Sequence, residues 1–208
     1  IGIVLFDKAE ELVWVGPFEV FTMAREIAGG NGPAAGIEVV LVSEAGGIVT
    51  GAKGLRNEVD CAFADAPVFD VLLIPGGIGT RGEMKNEAML DFLRKQAADA
   101  QWVTSVCTGS GVLEAAGLTA GKRITTHWGY LPTLRDNAAG KTEVLENVRY
   151  VRDGNLLTAA GVSAVSRRQG CRGARSARRW CPRATRRRRP AASPWSRSSP
   201  TQWASRSL

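Results

Sequence analysis

Cys107 is the residue of this chain best placed to act as a nucleophile. It follows the short β-branched run Val103 to Val106, which reads as a buried strand, and leads directly into Thr108, Gly109, Ser110 and Gly111. Val112, Leu113 and Ala116 then recur at helical spacing, and Gly117 stands where a cap is needed. A strand that becomes a helix with no intervening loop needs a strained backbone at the turn, often at φ > 0. Such a turn lifts one side chain above a sheet and onto a helix N-terminus, where N–H groups and the dipole favour an anion. A thiol there is expected to have a lowered pKa and to attack electrophiles at neutral pH. The competing reading is a buried, inert cysteine.

His127 is the only histidine, in Thr125-Thr126-His127-Trp128 after a short strand-like stretch. Contact with Cys107 would make a Cys–His pair; a purely structural histidine is the alternative. Pro75-Gly76-Gly77 ends another apolar run, and its N–H groups are expected to face a negative oxygen beside Cys107. Gly77 to Gly82 reads G-I-G-T-R-G, a match to the G-x-G-x-x-G fingerprint. Its context is wrong for a dinucleotide: the helical pattern starts only near Asn86, and no acidic residue closes a following strand. No cofactor or metal is expected. Ser110 lacks the G-x-S-x-G spacing and lies inside the helix, so it is not the nucleophile.

A sheet must carry these groups. Ile1 to Phe6, Ile37 to Val42 and Val68 to Ile74 read as strands, the first and third buried on both faces as in parallel sheets. Gly16-Pro17 is expected to start a helix with Phe18, Phe21, Met23, Ala24 and Ile27 on its apolar side, ended by Gly29-Gly30. Ile48 to Phe63 reads as a small antiparallel excursion at a sheet edge. Asn86 caps a helix running to about Ala100. Asn147 to Val151 and Leu156 to Ala159 read as a hairpin turning at Asp153-Gly154. Alternating strands and helices imply a three-layer α/β sandwich, mostly parallel, with helices on both faces. The ligand site of such a sheet lies at the strands' carboxyl ends.

The charge is unevenly spread. The chain has 27 basic and 20 acidic residues, net +7, but thirteen Arg and no acidic residue fall after Ala164. The body keeps fourteen basic residues against all 20 acidic ones, a net charge of −6, which does not suit nucleic acid. Two regions are therefore expected, an α/β domain over 1–164 and an Arg-rich segment over 165–208. In the second, Ile and Phe vanish, Trp180, Trp195 and Trp203 appear, and Arg186 to Arg189 form a run. GC-rich coding DNA read out of frame gives this composition; a solvated tail and a nucleic-acid-binding tail are the alternatives. No apolar run reaches the ~20 residues that span a bilayer. No signal peptide is visible, and a few leading residues are expected to be absent before Ile1. Cys61, Cys107, Cys171 and Cys181 have neither zinc nor disulfide spacing, and a reducing cytoplasm fits them. Cys61 reads as packing.

Several segments together resemble the ThiJ/PfpI family of the class I glutamine amidotransferase-like, flavodoxin-like fold. They are Gly16-Pro17-Phe18-Glu19-Val20-Phe21, Asp70 to Gly77, Val103 to Gly109, Thr125 to Trp128 and Asp153 to Thr158. Within the family, the resemblance is greatest to the isocyanide-hydratase type and to sensor domains of AraC-type regulators. It implies a cysteine-dependent hydratase or hydrolase of a small molecule, or a non-catalytic small-molecule sensor, in either case as a homodimer. Cys107 then matches the nucleophile, the Thr108 and Gly77 backbones the oxyanion-binding groups, and His127 a histidine near the nucleophile. The family's first-loop carboxylate falls at Val13, which has no acid; Glu10, Glu11 and Glu19 lie near it in sequence. The family pattern also continues past Ala164 into a long amphipathic helix that this sequence lacks.

Overall fold

The computed structural model describes residues 1–27 and 36–161. The chain opens with β1 (Gly2–Val4), α1 (Leu12–Ile27) and β2 (Val40–Ser43). β3 (Ile48–Thr50), β4 (Arg56–Glu58), β5 (Cys61–Ala62) and β6 (Val71–Ile74) follow. Next come α2 (Thr80–Glu83), α3 (Glu87–Asp99), β7 (Trp102–Val106) and α4 (Gly109–Ala115). β8 (Arg123–Ile124), α5 (Leu131–Ala138), β9 (Glu143–Val144), β10 (Tyr150–Asp153) and β11 (Leu156–Ala159) complete the described chain.

Seven strands form the main sheet in the order β10-β11-β7-β6-β1-β2-β5, parallel except for β10. This is a three-layer α/β sandwich of flavodoxin-like type. Ile3, Val4, Leu72 and Ile74 are fully buried, as apolar runs in central parallel strands require. Leu93 of α3 and Leu113 of α4 are equally buried. The expected excursion is the antiparallel β3–β4 pair, and β5 then joins the sheet edge beside β2. Asn86 caps α3, its side-chain oxygen accepting from the N–H of Ala88 and Met89.

Several expectations are corrected. Helix α1 begins at Leu12, and Pro17 lies inside it. Its two buried residues, Val13 and Trp14, precede the proline, so packing extends the helix past a residue that forfeits one backbone bond. Phe18 and Phe21 pack on the core, but Met23 and Ile27 are exposed. The hairpin pairs Asp153 with Leu156, so Gly154-Asn155 makes the turn. Strand β7 alternates: Val103 and Ser105 are buried, while Trp102, Thr104 and Val106 are half-buried. A single turn, α2, opens inside the G-x-G-x-x-G stretch well before Asn86. The helix end at Gly29-Gly30 and the whole 165–208 segment lie outside the described residues.

Candidate active site

The carboxyl ends of β1, β6, β7 and β11 meet around Cys107. The ladder with β11 runs on into it, since the Cys107 N–H donates to the Ala159 carbonyl at 2.8 Å. The backbone then turns to φ +59°, the left-handed conformation that a strand-to-helix elbow requires. A non-glycine residue held there costs roughly 1–3 kcal/mol, so its surroundings must fix it. They do so through the Cys107 carbonyl, which accepts from Thr126 Oγ1 at 2.9 Å and Ser110 Oγ at 3.3 Å. Two backbones press on the thiol. A Cβ on Gly76 would lie 2.6 Å from Cys107 Cβ, and one on Gly161, at φ +88°, would lie 2.7 Å away. Only 7% of Cys107 is exposed.

The N–H and hydroxyl of Thr108 are the groups that favour a charged sulfur at Cys107. The hydroxyl oxygen also accepts from Gly77 N–H at 3.0 Å and from Thr80 Oγ1 at 3.2 Å. Its own proton is donated to the Gly77 carbonyl at 3.2 Å. The thiol is not acidified as expected. Burial pushes it up, the two Thr108 donors pull it down, and the Glu10 charge pushes it up again; the net direction is up. The seven residues of α4 do not outweigh that desolvation.

His127 is half-buried, and its Nδ1 accepts from Gly129 N–H at 3.2 Å, capping the turn Trp128–Tyr130. Among the described residues no hydrogen bond joins it to Cys107; its neighbour Thr126 makes that link instead. Gly77 lies beside Thr108, but its N–H, expected to face an oxygen beside Cys107, donates to Thr108 Oγ1 at 3.0 Å. Val13 is 3% exposed. Glu10 is the carboxylate whose charge reaches the sulfur. Its N–H donates to the Gly76 carbonyl at 2.9 Å, and its carboxylate pairs with Lys53 Nζ at 2.9 Å. Glu11 faces the β3–β4 turn, accepting from Lys53 N–H at 2.6 Å, and Glu19 is exposed on α1.

The glycines of the fingerprint-like stretch serve a different purpose from phosphate binding. A Cβ on Gly77 would lie 2.5 Å from Glu10 N, and one on Gly79 would strike the Asp7 carbonyl, so both admit the β1–α1 loop. α2 exists because Thr80, fully buried, is tied to Gly77 O and Thr108 Oγ1. Sequence reasoning missed Thr80, Thr126 and Gly161 as parts of the site. Isolated small residues carry no periodic signal, although Thr126 sits beside the histidine that was singled out. No group of three or more His, Cys, Asp or Glu among the described residues could hold a metal ion.

Residues 1–167 match the model of the DJ-1/PfpI family. The chain belongs to this family. Isonitrile hydratase of Pseudomonas putida is 44% identical over 167 residues, covering 79% of this chain and 66% of its own length. A ThiJ/PfpI family protein from Pseudomonas syringae, of known crystal structure, is 31% identical with a TM-score of 0.68. That match covers 79% of this DJ-1/PfpI chain and 63% of the other. An AraC family transcriptional regulator from Pseudomonas putida shares the fold at 16% identity and a TM-score of 0.61, over 77% of this chain and 82% of that one. The chain thus spans just under two thirds of the length of the first two relatives.

Proposed function

We propose that this DJ-1/PfpI protein is a cysteine-dependent hydratase of a small electrophilic carbon, with an isonitrile as its substrate class. The carrying observation is Cys107 at φ +59°, clamped between Gly76 and Gly161 at the junction of β7 and α4. The likeness to isonitrile hydratase supports the same reading. The sulfur attacks the terminal carbon of R–N≡C, and a proton reaching that carbon gives the thioimidate R–N=CH–S–Cys. Water adds across C=N, then the C–S bond breaks, releasing R–NH–CHO, the thiolate and the proton. The Thr108 hydroxyl, which favours the charged sulfur and donates to the Gly77 carbonyl at 3.2 Å, is the group assigned to pass that proton. His127, whose Nδ1 accepts from Gly129 N–H, is not the base in this reading.

Val13 and the raised thiol favour a second reading, a sensor domain that keeps the elbow without turnover. General acid–base help is typically worth about 10²–10⁴ in rate, and Val13 supplies none. Isonitrile hydration by the purified protein, Cys107→Ala and Val13→Asp separates the two. Turnover in the parent, lost in Cys107→Ala, is the expected result. Silence in the parent with activity gained in Val13→Asp favours the sensor, and silence in all three folded proteins removes the isonitrile.

The homodimer of this reading is supported by exposed apolar residues along α1: Leu12, Val20, Met23 and Ile27. Sedimentation equilibrium showing only monomer would contradict it. A cytoplasmic setting is supported by the free thiols Cys61 and Cys107. Among the described residues, no helix is long and apolar enough to cross a membrane.

A further inference from the structure

Away from Cys107, a cleft of about 440 Å³ opens between α2, α4 and α5. That volume is in the range of small-molecule sites. Its walls carry opposite charges, Arg81 and Lys85 on one side and Glu114 on the other. None of the ion pairs among the described residues uses any of the three. Tyr130 lies within reach of both fields. Burial pushes its phenol up, Arg81 pulls it down and Glu114 pushes it up.

Tyr130 also carries the second observation. It is 5% exposed, yet its hydroxyl donates only to the Met84 thioether at 3.1 Å and accepts from Asn137 Nδ2 at 3.5 Å. A thioether is a weak acceptor, so a buried phenol at the wall of a cleft has its donor poorly used. A ligand oxygen in the cleft would satisfy it.

We propose that this cleft binds a small zwitterion, its carboxylate on Arg81 and Lys85 and its ammonium on Glu114, with the Tyr130 hydroxyl donating to the carboxylate. A dianion would meet the Glu114 charge, and a simple amine would leave the two cations unanswered. Met84 and Ala115 give the apolar part of the wall, which suits a side chain of moderate size. The site is independent of the thiol chemistry, because Glu114 stands at the opposite end of α4 from Cys107.

The test measures binding of L-methionine, L-glutamine and L-phenylalanine by thermal shift and equilibrium dialysis. Butyrate and butylamine serve as the single-charge controls. Saturable binding of at least one amino acid is expected, with neither control binding at the same concentration. Arg81→Gln and Glu114→Gln should each weaken it at least about tenfold, the share of a charge-assisted hydrogen bond. Cys107→Ala should bind as the parent does. The proposal is overturned by no saturable binding of any amino acid to folded protein, by binding that survives either substitution, or by equal binding of a control. Loss in Cys107→Ala alone also overturns it, since the ligand then sits at the thiol.

Discussion

Among the described residues two thiols invite comparison, Cys107 at the β7–α4 elbow and Cys61 in the edge strand β5. Burial raises both thiols. At Cys61 the next influences are Asp60 and Asp65, which raise it further. At Cys107 they are the N–H and hydroxyl of Thr108, which lower it, before Glu10 raises it again. Cys61 lies in extended backbone paired with Val42, whereas Cys107 is held at φ +59°. The difference between them therefore lies in backbone shape and in the Thr108 groups that favour a charged sulfur. Resting acidity does not distinguish Cys107 from Cys61; the backbone turn that holds Cys107 does.

The largest effect that sharpens this contrast comes from the backbone. Gly161→Ala places a Cβ 2.7 Å from Cys107 Cβ at a residue with φ +88°. It should cost roughly 2–5 kcal/mol in stability, from left-handed strain plus overpacking. Cys61→Ala, at a half-buried edge position, should cost about 1 kcal/mol or less. Thermal or denaturant unfolding of the two variants reads this, and equal losses would break the contrast. A smaller effect concerns the donors. Thr108→Val removes a hydroxyl that favours the thiolate and should slow iodoacetamide alkylation of Cys107 about tenfold or more, leaving Cys61 unchanged.

The smallest effect is in the pH profile. Because the net shift of Cys107 is upward, the neutral thiol is the form present at neutral pH, and thiolate accumulates only as pH rises through the raised value. Its alkylation rate should still be climbing at the ordinary thiol value of 9.0. A plateau reached below that pH means that the Thr108 donors and the helix end outweigh burial. Stopped alkylation with peptide mapping at several pH values checks it for both cysteines.

Much of this was legible in the sequence for physical reasons. The run Val103 to Val106 followed at once by Cys107 and small residues has few solutions other than an elbow, and the elbow is there. Asn86 ahead of Met89, Leu90 and Leu93 specifies a capped helix, and its side chain caps α3. Of the run Val68 to Ile74, Leu72 to Ile74 are buried on both faces as expected, whereas Val68 is exposed and the strand starts only at Val71. What was hidden depends on contacts distant in sequence. Pro17 suggested a helix start, but burial of Val13 and Trp14 placed that start earlier. α2 follows from Thr80 reaching Thr108, 28 residues away, which no local pattern records. The sign of the Cys107 shift also escaped, because helix-end stabilisation can be read from sequence whereas the depth of burial cannot.

The most direct test of Cys107 as the nucleophile is the mass of its peptide after brief incubation with an isonitrile and acid quench. Covalent addition predicts a peptide containing Cys107 heavier by the mass of the isonitrile, absent in Cys107→Ala, with Cys61 unmodified. Formamide produced while the Cys107 peptide stays unmodified, or an adduct found on Cys61 instead, would contradict it.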